Sequence, residues 1–233
     1  MSKGFSRRGV CQAGLAAALA TGLPRPAMAA AYDAANGEWR TYGGNLGSWR
    51  YSALDQITAE NFGSLQQAWS FQPDNLGPRP DANLQATPLM VKGRLYLTAG
   101  SRRAAVALDA TTGELLWKYN INEGRRGATA PRTGSGRGLS YWTDGAAERI
   151  IYVTPGYQMV CLDALTGRPV AGFGDKGVVD LKKEMDQEID LDGETPGHAI
   201  GLHATPLVVG DVVVVGAAHL PGLSPRKAHV KGY

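Results

Sequence analysis

Apolar residues in this chain come in short runs separated by polar turns. Arg94-Leu-Tyr-Leu-Thr and Ala104-Ala-Val-Ala-Leu run into a polar stretch, Asp109 to Gly113, and Glu114-Leu-Leu-Trp-Lys-Tyr follows it. The pattern predicts antiparallel strands joined by tight turns, while helical periodicity is scarce. Thr112-Gly113 suits a tight turn because Gly reaches φ > 0 without a Cβ penalty, and Asp109 can accept backbone N–H bonds across it. Trp117 then offers a large flat surface with an N–H donor at its edge.

The unit repeats. Cys161-Leu-Asp163-Ala-Leu-Thr166-Gly167 echoes Ala107-Leu-Asp109-Ala-Thr-Thr112-Gly113, and Ala86-Thr-Pro-Leu-Met-Val-Lys-Gly is echoed by Ala204-Thr-Pro-Leu-Val-Val-Gly-Asp. A third approach to a tryptophan ends in Leu65-Gln-Gln-Ala-Trp69. Short strands repeating at this period predict an all-β fold of β-propeller blades. Four-stranded sheets are expected at about 86–120 and 149–173, with Trp117 flat against the turn of the neighbouring blade. A third blade begins near His203 and the sequence stops at Gly232-Tyr233, where its turn motif is due. Two to three blades predict part of a larger ring, left by a truncated gene or a partial sequence.

Between the blades the signals are weaker. Residues 30–57 read as an irregular lead-in on the propeller rim, and Thr58 to Leu65 as one helical turn capped by Thr58. Residues 65–72 read as a lone strand. Asn122 to Ser140 reads as a long loop carrying Arg125, Arg126, Arg132 and Arg137 among glycines, and residues 180–201 as an acidic excursion.

The N-terminus changes how the charge is read. Arg7-Arg8 precedes a mild apolar run from Val10 to Leu23, too short to span a membrane, and Ala27-Met28-Ala29 offers a small-x-small cleavage site. Residues 1–29 are expected to be an export signal cleaved after Ala29, twin-arginine-like, with a plain Sec signal as the alternative; residues 30–233 form the propeller part. Removing the signal takes the formal net charge from +3 to −1. That excludes a basic face for nucleic acid and leaves no polybasic membrane patch. Cysteines fall from two to one, Cys161, so no internal disulfide forms, and Cys161 reads as a packed strand residue rather than a nucleophile.

Several motifs fail on their chemistry. Gly134-Ser-Gly-Arg-Gly-Leu lacks the Gly-Lys-Ser/Thr ending of a phosphate loop. Glu188-Ile-Asp190-Leu-Asp192-Gly193 has alternating carboxylates, but Ala199 stands where a calcium hand needs glutamate. His198, His203, His219 and His229 have no zinc spacing, and no nucleophile–base pair stands out.

The motif Ala-x-Asp-x-x-Thr-Gly-x-x-x-Trp at 107–117 resembles the tryptophan-docking motif of PQQ-dependent dehydrogenases, the quinoproteins. The flanks agree: Trp39-Arg-Thr-Tyr-Gly-Gly, Arg50-Tyr-Ser, Gly138-Leu-Ser-Tyr-Trp and Lys231-Gly-Tyr, nearest the glucose dehydrogenase type. The second copy departs from the motif, with Pro169 and Phe173 where a plain strand and Trp are expected. The resemblance implies part of an eight-bladed propeller in which the lone strand ending at Trp69 completes the last blade. It implies PQQ as cofactor, with a divalent metal, calcium, in the complete protein. PQQ carries three carboxylates and an ortho-quinone, so cationic and hydrogen-bonding partners are required. The implied cofactor contacts are Arg137, Gln85, His203, Ala218 and His219.

Function follows by the same resemblance: periplasmic oxidation of a sugar or alcohol hydroxyl, hydride passing to a metal-polarised quinone carbonyl while an aspartate takes the proton. Electrons then go to a quinone or cytochrome, and membrane association is not encoded in this sequence. The vicinal cysteines of alcohol-type relatives are absent, with Pro131-Arg132 near their place. The calcium-binding glutamate has no clear counterpart after Ala218, and the catalytic aspartate and stacking tryptophan fall beyond residue 233. The chain alone is therefore expected to be inactive. The alternative is a non-catalytic PQQ-repeat propeller serving as a binding or assembly scaffold.

Overall fold

The computed structural model describes residues 37–73, 76–183, 185–194, 199–219 and 227–233. The expected export signal, its cleavage point after Ala29, and His198 lie outside the described residues. β1 (Leu89–Val91), β2 (Arg94–Ala99), β3 (Ala104–Asp109) and β4 (Leu115–Tyr119) pair in that order as an antiparallel sheet. After a short helix, α1 (Gly124–Ala128), a second four-stranded sheet follows: β5 (Ser140–Thr143), β6 (Glu148–Val153), β7 (Gln158–Asp163) and β8 (Val178–Asp180). β9 (Ile200–Gly201) then precedes a third sheet begun by β10 (Leu207–Val209) and β11 (Val212–Val215). β12 (Ala218–His219) returns to pair with β9, and β13 (Lys231–Gly232) pairs with β11.

Strand alternation stacks these sheets face to face. Successive side chains point to opposite faces of a strand. In β3, Ala105 and Ala107 join Tyr96, Ile150, Tyr152, Val160 and Leu162 in the core between the first and second sheets. Ala104, Val106 and Leu108 face the other way, where Leu76, Trp69 and Phe71 cover them. β7 divides in the same manner: Val160 and Leu162 face the first sheet, while Met159 and Cys161 meet Val208, Val213 and Val215 of the third. Each Val, Leu, Ile or Met among them contributes about 1.5–3 kcal/mol when fully buried, so packing between faces, more than edge pairing, holds the blades in order. Among the described residues two four-stranded sheets and one three-stranded sheet stack as propeller blades, and they do not close into a ring.

The docking motif forms as its residues dictate. Asp109 Oδ1 accepts the N–H groups of Thr111 (2.9 Å) and Thr112 (2.8 Å), and Asp163 Oδ1 accepts that of Thr166 (2.8 Å). Trp69 Nε1 donates to the Ala110 carbonyl at 3.2 Å and Trp117 Nε1 to the Ala164 carbonyl at 3.0 Å.

Four expectations are corrected. The second blade spans Ser140 to Asp180 rather than 149–173. The Arg-rich stretch ends in a strand whose Tyr141 is buried, and at the far edge Pro169, which has no N–H, makes only an isolated bridge to Leu162, so full pairing resumes at Val178. The Asn122–Ser140 loop also contains α1. Residues 65–72 form no paired strand, although Trp69 docks as a motif tryptophan should. The helical turn is a 3-10 turn at Phe62–Ser64 with Asn61, not Thr58, at its N-cap. Asn61 instead accepts the Thr58 N–H and donates to the Gln56 carbonyl, both at 2.8 Å. Within the lead-in, Trp39 exchanges two backbone bonds with Met90 of β1, which places it on that blade's first strand.

Candidate functional site

The first strands of the three blades, β1, β5 and β10, are approached by segments that meet. Thr87 N–H donates to the Arg137 carbonyl at 3.1 Å, and Arg137 N–H donates to the His203 carbonyl at 2.9 Å. Proline explains the similar approach of the two echoes: a residue before Pro is driven out of the helical region, so Thr87 and Thr205 are held extended ahead of Pro88 and Pro206. Gly138 passes between them at φ 126°, and a Cβ there would lie 3.1 Å from the Thr87 carbonyl oxygen and 3.3 Å from Thr205 Cγ2.

This lacing gathers three of the five residues singled out in the sequence. His203 Nε2 lies 2.6 Å from Gln85 Oε1. With the amide oxygen as acceptor, Nε2 carries the ring proton and Nδ1 is a bare acceptor. Nδ1 is buried and has no hydrogen-bond partner among the described residues. Burial, followed by the charges of Arg103, Arg137 and Arg132, holds the His203 pKa below its ordinary value, so the ring is neutral at pH 7. Gln85 is held from below: its N–H donates to Ser135 Oγ at 3.3 Å, and that buried hydroxyl donates to the Asn83 carbonyl at 3.4 Å. The Arg137 side chain is exposed beside this pair.

Ala218 and His219 do not join the group. They pair with Gly201 and Ile200 across β12 and β9. Both ring nitrogens of His219 lie 3.1 Å from carbonyl oxygens, Nδ1 from Ala199 and Nε2 from Lys227.

Sequence reasoning missed Arg103. It is 2 % exposed, and its guanidinium donates to four carbonyls: Gly134 (3.2 Å), Val153 (3.0 Å), Leu202 (2.6 Å) and Arg132 (2.8 Å). Burial pushes its pKa down to about 10, which still leaves it charged at neutral pH. The available signal was weak: a second arginine in a hairpin tip, together with the small residues from Gly134 to Gly138 that leave room for it. Among the described residues no carboxylate hydrogen-bonds to Gln85, Arg103, Arg132, Arg137 or His203, although the charge of Glu123 reaches Arg103 and the Asp81 carboxylate lies near Gly134.

The other candidates resolve as structure. Cys161 is fully buried in β7, and burial pushes its thiol up to about 11. Asp190 Oδ1 closes its own turn on the N–H groups of Gly193 (2.8 Å) and Glu194 (2.9 Å). No group of three His, Cys, Asp or Glu able to hold a metal occurs among the described residues. No helix among them is long and apolar enough to cross a membrane.

Comparison with known proteins agrees with the fold. The family described as "PQQ: Glucose/ethanol/alcohol dehydrogenase, beta-propeller domain" matches residues 39–233. The glycerol dehydrogenase large subunit of Gluconobacter oxydans is 29% identical over 86% of this chain and 27% of its own length. The quinohemoprotein alcohol dehydrogenase ADH IIB of Pseudomonas putida is 33% identical over 69% of this chain and 22% of its own. Among solved structures, quinohemoprotein alcohol dehydrogenase ADHIIG of Pseudomonas putida superposes with a TM-score of 0.62 at 28% identity, covering 82% of this chain and 24% of that one. A europium-containing methanol dehydrogenase gives 0.61 at 25% identity, covering 84% and 30%. The chain spans about a quarter of the length of these relatives. It belongs to the PQQ-dependent glucose/ethanol/alcohol dehydrogenase family of β-propellers.

Proposed function

We propose that the Gln85–Arg137–His203 group is one wall of the PQQ site of an exported dehydrogenase that oxidises a hydroxyl of a small alcohol, polyol or sugar. The observation that carries this reading is three arginines acting on His203 with no carboxylate hydrogen-bonded to them among the described residues, beside a histidine whose Nδ1 has no partner among those residues. The cations suit a ligand that brings carboxylates of its own, while the bare Nδ1 is an acceptor and suits an N–H or O–H donor on it. Arg137, exposed and, among the described residues, hydrogen-bonded through its backbone alone, would take a carboxylate. Gln85, seated on Ser135, would fix His203 in the tautomer that leaves Nδ1 bare. When bound, PQQ supplies the ortho-quinone that accepts hydride from the substrate carbon. Ala218 and His219, turned to their own strand pair, would stay outside this wall, and a divalent cation such as calcium would be held by other residues. Residues 1–29 would direct the chain to the periplasm, and electrons would leave to a quinone or cytochrome. The relatives named for glycerol and alcohols favour a hydroxyl substrate of that size.

The test uses purified residues 30–233 titrated with PQQ, with and without calcium, by calorimetry and tryptophan quenching, then assayed with a dye acceptor on ethanol, glycerol and glucose. Saturable binding is expected, weakened at least about tenfold by Arg137→Ala, which removes a charge-assisted contact. No turnover by this chain alone is expected. Absence of saturable binding overturns the cofactor reading in favour of a scaffold propeller, and turnover overturns the proposed inactivity.

A further inference from the structure

We propose that Arg103 is a positioning residue for this site: its guanidinium holds the approaches to Arg137 and His203 in register across three blades. The inference rests on the cofactor reading above and extends it to a residue that does not itself touch the ligand.

The geometry carries the argument. Arg103 sits at the tip of the β2–β3 hairpin of the first blade, where its N–H bonds to the Gly100 carbonyl at 3.0 Å. Its four acceptors lie elsewhere. Arg132 and Gly134 belong to the segment that leads to Arg137, Val153 ends β6 in the second blade, and Leu202 immediately precedes His203. A guanidinium is planar and offers five N–H donors in a fixed fork, so four bonds from one group set the relative positions of four backbone points. Gly136 closes over the side chain, and a Cβ there would lie 2.7 Å from Arg103 Nε. The loop before Arg137 is thus moulded onto this arginine.

Two costs accompany the arrangement. A cation is buried with carbonyl dipoles in place of a carboxylate, and Arg103 adopts a left-handed backbone, φ 55°, which a non-glycine residue takes only at an energetic cost. Glu123 offsets part of the first cost at a distance, without a hydrogen bond to the guanidinium, whose positive charge acts on His203. The carbonyl fork keeps that charge while fixing the segments that display it.

The experiment compares residues 30–233 with Arg103→Met and Arg103→Lys by melting temperature, NMR titration of the His203 ring and PQQ affinity. In R103M the His203 midpoint is expected to move up and PQQ affinity to fall at least about tenfold, the scale of one lost charged hydrogen bond. In R103K, which keeps the charge and loses the fork, the midpoint stays near the wild-type value while affinity recovers only in part. A folded R103M that titrates and binds like wild type overturns the proposal. If R103M does not fold, wild-type affinity in R103K overturns it and a drop of about tenfold supports it. If the wild-type chain binds no PQQ, the cofactor reading fails by itself, and the NMR signal of the His203 Nε2 proton, which reports its contact with Gln85, then decides: its loss in R103K supports the positioning role and an unchanged signal overturns it.

Discussion

Trp117 lies on Gly167, with the indole so close that a Cβ on the glycine would fall 2.5 Å from Trp117 Cδ2. Trp69 stands in the same relation to Gly113, again at 2.5 Å. The motif glycine therefore answers two demands at once. It turns the chain at positive φ, 68° at Gly167, and leaves its upper surface clear for the tryptophan of the preceding blade.

Gly167→Ala is expected to destabilise the chain by about 2–4 kcal/mol, combining a left-handed alanine with the displacement of Trp117. Trp117→Phe keeps most of the contact and loses the bond to Ala164, so about 1 kcal/mol is expected. Urea unfolding monitored by circular dichroism measures both. Equal effects of the two substitutions would contradict the docking geometry.

Acid should loosen the second blade through Asp180. Burial alone would raise this carboxyl, but Arg126, bonded to both its oxygens, draws it below the ordinary value. A carboxylate with a depressed native pKa adds stability above its unfolded value, about 3.9, and loses it as pH falls through the lower native value. Asp180→Asn should therefore cost about 1–3 kcal/mol at pH 7 and progressively less below about pH 4. Unfolding curves from pH 7 to pH 2 check the convergence.

Cys161 should be silent in the folded chain. Fully buried, with a thiol near 11, it offers neither access nor thiolate at pH 8. In residues 30–233, which lack Cys11, a thiol-reactive chromogenic disulfide is expected to label nothing until denaturant unfolds the second blade. Rapid labelling in native buffer would refute this.

Gly138→Ala should damage the site more than the blades. Its φ of 126° is strained for alanine, and the 3.1 Å approach to the Thr87 carbonyl would force the two threonines apart by a few tenths of an ångström. The expected outcome is a melting temperature lowered by a few degrees, about 1–2 kcal/mol in a domain of this size, with PQQ affinity reduced at least about tenfold.

The blades were legible because their signals are local. Asp109, Thr112, Gly113 and Trp117 lie within nine residues of sequence, so the motif is read locally even though Trp117 itself docks on the next blade. Gln85, Arg137 and His203 were legible through the Ala-Thr-Pro echo and the family likeness, but their contact was not, since His203 reaches Gln85 across 118 positions. Arg103 left only a weak trace because all four of its acceptors are main-chain carbonyls, available from any residue type. The edge of the second blade was misplaced where Pro169 interrupts pairing without ending the blade, which continues to Asp180.

The tryptophan contacts also have a direction. Trp69 reaches forward 41 residues to Ala110, and Trp117 reaches forward 47 to Ala164. Loop-closure entropy grows only with the logarithm of length, so the two closures differ by about 0.1 kcal/mol. A chain emerging from the ribosome N-terminus first would thus expose each indole before its seat exists, and would bury it at nearly constant intervals as the next turn appears. Assembly would advance like a zip, one blade behind synthesis, with a single exposed indole at its growing end.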